Sequence, residues 1–174
     1  MIYVVDHVFK DPAIEPAWHE WYAGYLQRLL SVPGIHSAQR FKAIGHSPSR
    51  YLAMYSIDSE DVYSSAAYTG IGGGGSQSAR FHFAYELWTR NLFAGLDRAP
   101  PVAAGKRLLA WDRSEPAEPG ALGARATWLR SVGLHMTTPY RAIAILDPAE
   151  AEALPRPSGS ILYEPFTDYL TSVR

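Results

Sequence analysis

The chain has no cysteine. That excludes a disulfide framework, a thiolate nucleophile, a zinc ribbon and a cysteine-ligated iron–sulfur cluster, and it fits a cytoplasmic location. No run of about 18 apolar residues occurs, so no helix is expected to span a membrane. Met1 to Pro12 lacks a basic start, and Asp6 and His7 interrupt its apolar residues, unlike a secretory leader. Charge is scarce too: charged residues are 19% of the 174, and the formal net charge is −1. Nucleic acid is therefore not the expected partner, since phosphate neutralisation needs a concentrated positive face. Aromatic side chains are abundant, with five Trp and eleven Tyr. Together with the low charge they point to much buried or self-associating surface.

Ile2 to Phe9 is β-branched and aromatic and reads as a strand that stops at Asp11-Pro12. Trp18, Trp21, Tyr22, Tyr25, Leu26, Leu29 and Leu30 recur at helical spacing over Pro16 to Val32, and Pro33-Gly34 ends that helix. Ile35–Ile44 and Tyr51–Ile57 read as strands. A short helix capped by Ser59 runs to Tyr68. Gly70 to Ser76 is a flexible glycine loop. Ser78 to Arg90 reads as a helix and Asn91 to Asp97 as a fourth strand. The pattern then restarts, with strands at 106–112, 140–146 and 160–166, a helix at 121–132 and a short helical stretch at 148–154.

The order strand-helix-strand-strand-helix-strand is the ferredoxin-like, split βαβ pattern. Ser31-Val32-Pro33-Gly34-Ile35-His36 is echoed by Ser131-Val132-Gly133-Leu134-His135, and Phe41-Lys42-Ala43-Ile44 by Tyr140-Arg141-Ala142-Ile143. We read an internal repeat: a full module at 1–101 and a shortened one at 102–174. A sheet with helices on one face must bury the other. Two modules face to face form an α+β barrel of antiparallel sheets, and edges left by the shortened half suit a homodimer.

Trp21-Tyr22, Leu29-Leu30-Ser31-Val32-Pro33-Gly34, Ser37-Ala38-Gln39-Arg40-Phe41 and Tyr51-Leu52-Ala53-Met54-Tyr55 resemble the dimeric α+β barrel superfamily, and within it the EthD-like group. The resemblance covers roughly residues 1–70. It implies an apolar cavity between sheet and helices, and cofactor-independent isomerisation, cyclisation, lyase chemistry or oxygenation of aromatic molecules. EthD-like sequences often carry a His shortly after the Trp-Tyr pair. Here Ala23-Gly24-Tyr25-Leu26 follows instead, so no role is carried over from that His.

Tyr3, Val5, His7 and Phe9 alternate onto one strand face, which puts His7 on an apolar wall as an acid or base, or as a satisfied core histidine. His36 and Arg40 share a face about 13 Å apart and could bracket a ligand; a solvated pair is the plainer reading. Tyr51 and Tyr55 flank Ala53, leaving a shaped space with hydroxyls able to face an oxyanion, or simply packing. In a helix over 78–90, His82 and Glu86 would be i, i+4 neighbours, a carboxylate orienting an imidazole beneath a glycine lid. His82 is thus the leading catalytic candidate, with His7 and Tyr55. His36, Arg40, Tyr51, Glu86, Trp88, Arg90 and His135 are candidate binding residues. Gly70, Gly72 and Gly75 match G-x-G-x-x-G formally, but no strand precedes them and no acid follows at dinucleotide-site spacing. His spacing offers no metal site. The expected activity is acid–base catalysis without cofactor, of isomerase, lyase or cyclase type, on a small apolar or aromatic molecule. A haem protein and a non-catalytic small-ligand carrier are the alternatives.

Overall fold

A computed structural model describes residues 1–172. Its strands are β1 (Ile2–Phe9), β2 (Ile35–Ala43), β3 (Ser49–Ile57), β4 (Tyr85–Ala94), β5 (Arg107–Arg113), β6 (Thr127–Leu134), β7 (Tyr140–Leu146), β8 (Ile161–Pro165) and β9 (Leu170–Thr171). The helices are α1 (Glu15–Leu30), α2 (Ala66–Gly70) and α3 (Pro148–Ala153). Three 3-10 turns, Glu60–Ser64, Ala79–Ala84 and Gly120–Arg125, complete the order.

The first four strands pair as β4-β1-β3-β2 and the next four as β8-β5-β7-β6. These are the same order, that of a ferredoxin-like sheet, used twice. β4 then pairs with β6 and β2 with β8, every pair antiparallel, so eight strands close into a barrel and no edge remains among them. β9 adds a short pairing at Ser37–Ala38 of β2.

Period-two alternation sorts each strand between lumen and outer face. Ile2, Val4, Phe41, Leu52, Met54 and Phe93 meet Leu108, Leu129, Ile143 and Tyr163 in the lumen. A buried ion pair crosses it, Arg141 donating to Asp6 at 3.1 Å, and Arg141 also donates to the more exposed Asp112 at 2.6 Å. On the outer face of the first sheet lies α1. Pro16 and Glu15 sit in its first turn and Arg28 in its last, each favourable at that end. Trp18, Tyr22, Leu26, Leu29 and Leu30 form its buried stripe. Each fully buried large apolar side chain contributes about 1.5–3 kcal/mol relative to exposure. Gly34 ends the segment at φ +88°, where a Cβ would meet Val62 Cγ2 at 2.7 Å.

Two expected helices are strands. Residues 78–90 form a 3-10 turn only to Ala84, and Tyr85 begins β4, which runs to Ala94 rather than occupying 91–97. Residues 121–132 form a 3-10 turn to Arg125, kinked at Gly123, and then β6. Phe81, Tyr85 and Trp88 have helical spacing. Yet Leu87 through Phe93 satisfy every ladder position along β1, and that tertiary pairing overrides local pattern. Ser131-Val132 therefore lies inside a strand, whereas Ser31-Val32 follows a helix. The echoed residues do not occupy equivalent places.

Candidate functional site

Strand register builds a floor under α1. Arg40 pairs with Ala53, Ala53 with Val5, and Val5 with Arg90, making one row across β2-β3-β1-β4. Two arginines thus end a row whose middle is small, with roughly 14 Å of backbone between them at the ~4.8 Å strand spacing. One neighbouring row is Lys42, Tyr51, His7 and Trp88; the other is Ala38, Tyr55, Tyr3 and Leu92. Tyr22 and Tyr25 of α1 form the roof. Tyr68 and the glycine segment close one side.

The result is a slot lined chiefly by aromatic rings, with His7, Tyr55, Trp88 and Arg90 in its walls. Its cavity volume is only about 40 Å³. A few waters fit there; a fused aromatic ring system requires the cover to move. The cover is suited to that. Gly72, Gly74 and Gly75 have positive φ, and a Cβ on Gly75 would meet the Trp88 ring at 2.8 Å.

His7 is the unusual group. It is 3% exposed, and edges of Trp18, Tyr22 and Tyr85 surround it at 5.1–5.9 Å between ring centres. Neither ring nitrogen has a hydrogen-bond partner among the described residues, and the ring lines the slot. Burial, and secondarily the charge of Arg40 and of His82, lowers its pKa to about 3. It is neutral at physiological pH, with a lone pair available. Beside it the Tyr22 and Tyr55 hydroxyls hydrogen-bond each other at 2.8 Å. Burial raises both pKa values, so both keep their protons, and one O–H of the pair remains free to donate.

Arg40 lies behind this pair, 1% exposed, its guanidinium 3.9 Å from the Tyr22 ring centre and 4.7 Å from that of Trp18. No carboxylate pairs with it among the described residues. It donates instead to His19 Nδ1 at 3.1 Å. That fixes the His19 tautomer: Nε2 carries the proton towards the Tyr51 hydroxyl at 3.0 Å, and Tyr51 donates to Glu15. Burial, then the Arg40 charge, lowers the His19 pKa to about 4. The Arg40–His19–Tyr51–Glu15 chain locks the first turn of α1 against the sheet.

Other expected residues lie elsewhere. Tyr51 is in the chain just described, beside the slot. His36 bonds Asp58 at 2.6 Å near the start of β2, where a register shift at Ile35/Ser37 takes it out of line with Arg40. His82 and Glu86 do not pair, because the helix that would align them is absent. His82 bonds Ser78, a slot residue, at 2.9 Å and packs 5.1 Å from the Trp88 ring, while Glu86 is exposed. His135 accepts from Arg90 Nε at 3.3 Å. Tyr22, Tyr68 and Ser78 were not anticipated as site residues. For Tyr22 the signals were its place in the apolar stripe of α1 and in the Trp21-Tyr22 pair of the family resemblance.

Among the described residues no group of three or more His, Asp or Glu is placed to hold a metal. For haem, the rings of Trp18, Tyr22 and Tyr85 packed against His7 leave little room at that imidazole.

No family model matches the sequence, and no curated protein matches it. Two solved structures are similar throughout. An anthrone oxidase-like protein matches 99% of this chain and 94% of its own, at TM-score 0.64 and 10% identity. A candidate monooxygenase from Lactobacillus acidophilus NCFM matches 98% of this chain and 96% of its own, at TM-score 0.52 and 8% identity. The likeness is one of fold: the chain is an α+β barrel.

Proposed function

We propose that the protein is a cofactor-independent enzyme that removes a proton from a planar, polycyclic aromatic molecule held in the slot beneath α1. The observation that carries this reading is His7: a buried, neutral imidazole with unpartnered nitrogens in an aromatic slot, beside a protonated tyrosine pair. The EthD-like resemblance and the two neighbours of the same fold support it.

His7 takes the proton from an acidic C–H of the substrate. The electron pair left behind delocalises onto a carbonyl oxygen, and the free O–H of the Tyr22–Tyr55 pair donates to it. Arg40, held behind Tyr22, adds positive potential in a poorly solvated place where it acts at distance. The imidazolium formed on His7 is unfavourable alone but favourable opposite an enolate. The base is therefore weak towards water and effective only with substrate bound. The carbanion has two outcomes. Returning the proton at another position gives an isomerase. Addition of O2 gives a hydroperoxide, and loss of water from it leaves a carbonyl. For anthrone the balance is anthrone plus O2 to anthraquinone plus water. The neighbour described as anthrone oxidase-like favours this second outcome.

The test is oxygen uptake with anthrone, using chelator-treated protein. The expected result is one O2 consumed per anthraquinone formed, faster than in buffer. Unchanged anthrone bound tightly would instead identify a carrier, and a Soret band in the purified protein a haem protein.

A further inference from the structure

The charge of the slot has not been accounted for by a proton-transfer site alone. Its lining contains no aspartate or glutamate, yet Arg90 is among the lining residues. No carboxylate lies within ion-pair distance of Arg90 among the described residues. Its side-chain partner is His135, reached by Nε at 3.3 Å and Nη2 at 3.2 Å, which leaves Nη1 without a partner. Burial, then the Arg90 charge, lowers the His135 pKa, so this partner is neutral and the guanidinium charge stays uncompensated. The guanidinium also sits over the Trp88 ring, 5.0 Å from its centre, which fixes its plane at the slot wall. The guanidinium is part-exposed and has no carboxylate beside it among the described residues, so its fork is available to an anion entering the slot.

We infer that the substrate is an aromatic carboxylate, its ring system in the slot and its carboxylate on the Arg90 guanidinium. This rests on the reading of the slot as a substrate site and adds the substrate's charge and orientation. The orientation follows from register. Val5 pairs with Arg90 and His7 with Trp88, so the base stands one same-face step along the strands and one strand across from the anion anchor. At ~3.4 Å per residue and ~4.8 Å between strands, the two backbones are about 8 Å apart. A fused two- or three-ring system spans that distance. The fork of an arginine suits a planar carboxylate better than a point anion.

The test is a matched pair of probes, anthracene-2-carboxylate and anthracene-2-carboxamide, bound to the full chain and followed by probe fluorescence anisotropy at low salt. The wild type is expected to bind the carboxylate at least tenfold more tightly than the amide. Arg90→Gln should abolish the preference and leave amide affinity within about twofold. Arg90→Lys, which keeps the charge, should retain part of the preference and serves if the glutamine variant does not fold. Arg80→Gln, in the 3-10 turn beside α1 and outside the slot lining, should change nothing. Equal binding of both probes to the wild type overturns the inference and leaves the slot reading standing. Loss of the preference in Arg80→Gln also overturns it, since general surface charge would then be responsible. Binding of neither probe overturns the slot reading and the inference with it.

Discussion

The outer face of β4-β1-β3-β2 carries Tyr3, His7, Arg40, Tyr51, Tyr55 and Arg90 beneath a 16-residue helix. The outer face of β8-β5-β7-β6 has the same strand order but carries Leu109, Trp111, Ala142, Ala144 and Leu162. Its cover is a 3-10 turn that contributes Leu122 and a six-residue helix that contributes Ala151. Short covers bring small apolar residues down onto the sheet, and the Trp111 N–H there is met by the Ser158 carbonyl at 3.1 Å. The long helix stands on Trp18 and Tyr22, wide enough to leave a slot, and every polar group beneath it must find a partner or await one. One fold thus holds an apolar, tightly covered face and a face lined with polar and aromatic groups, the one we propose to be chemical. The cover and the row composition separate them.

The contrast gives opposite expectations for the two faces. Leu109, fully buried in the second, is the place for the largest stability effect: Leu109→Ala should cost about 2–5 kcal/mol, measured by denaturant unfolding, while turnover below the melting transition stays unchanged. A parallel loss of turnover would show that the second face is not merely structural. Next, Tyr55→Phe should lower turnover about 100-fold, the usual cost of one oxyanion donor, with a melting temperature close to wild type. A change in substrate affinity alone would reassign the Tyr22–Tyr55 pair to packing.

The first face should also be the pH-sensitive one. In the unfolded chain His7 takes a proton below pH 6.5; in the folded protein it resists down to about 3. Stability from this group is full above pH 6.5 and falls as pH drops through that window. At about 1.4 kcal/mol per pH unit the loss between pH 6.5 and 4.5 is about 2–3 kcal/mol. His19 adds to it in the same direction. Thermal melts of His7→Phe should lose most of the His7 share, whereas an unchanged slope would place the sensitivity elsewhere. For the same reason turnover should show no inflection near pH 6.5. The smallest effect is at the cover. Gly75→Ala puts a Cβ against Trp88 at positive φ, and should cost about 1 kcal/mol of stability together with weaker binding of aromatic probes. Tighter binding would mean that the glycine segment does not close over the slot.

Much of the first face is legible in the sequence. Strand alternation placed His7 among Tyr3, Val5 and Phe9, and the helical stripe of α1 marked its buried side. The proline–glycine stop after Val32 was equally plain. What could not be read was register. That Arg40 and Arg90 end one row follows only from three successive strand pairings, Arg40 with Ala53, Ala53 with Val5 and Val5 with Arg90, and Tyr22 meets Tyr55 only because a helix crosses a strand. Tyr85 to Arg90 shows why local pattern misleads: its aromatics have helical spacing, but β1 offered a complete ladder. The His82–Glu86 pair vanished with that helix. Glu15 and His19 stand four residues apart on α1, and their role comes from Arg40, which donates to the far nitrogen of the imidazole.

The central claim is that His7 is the base of the chemical face. The direct measurement is deuterium exchange into the acidic methylene of anthrone, followed by NMR under nitrogen in deuterated buffer, where proton removal is seen without oxygen chemistry. The wild-type protein should accelerate exchange over buffer, and His7→Ala should lose at least about 100-fold of that acceleration, the scale of general base catalysis. Trp111→Phe on the opposite face should retain it. No acceleration by the wild type, or acceleration undiminished in His7→Ala, would contradict the account.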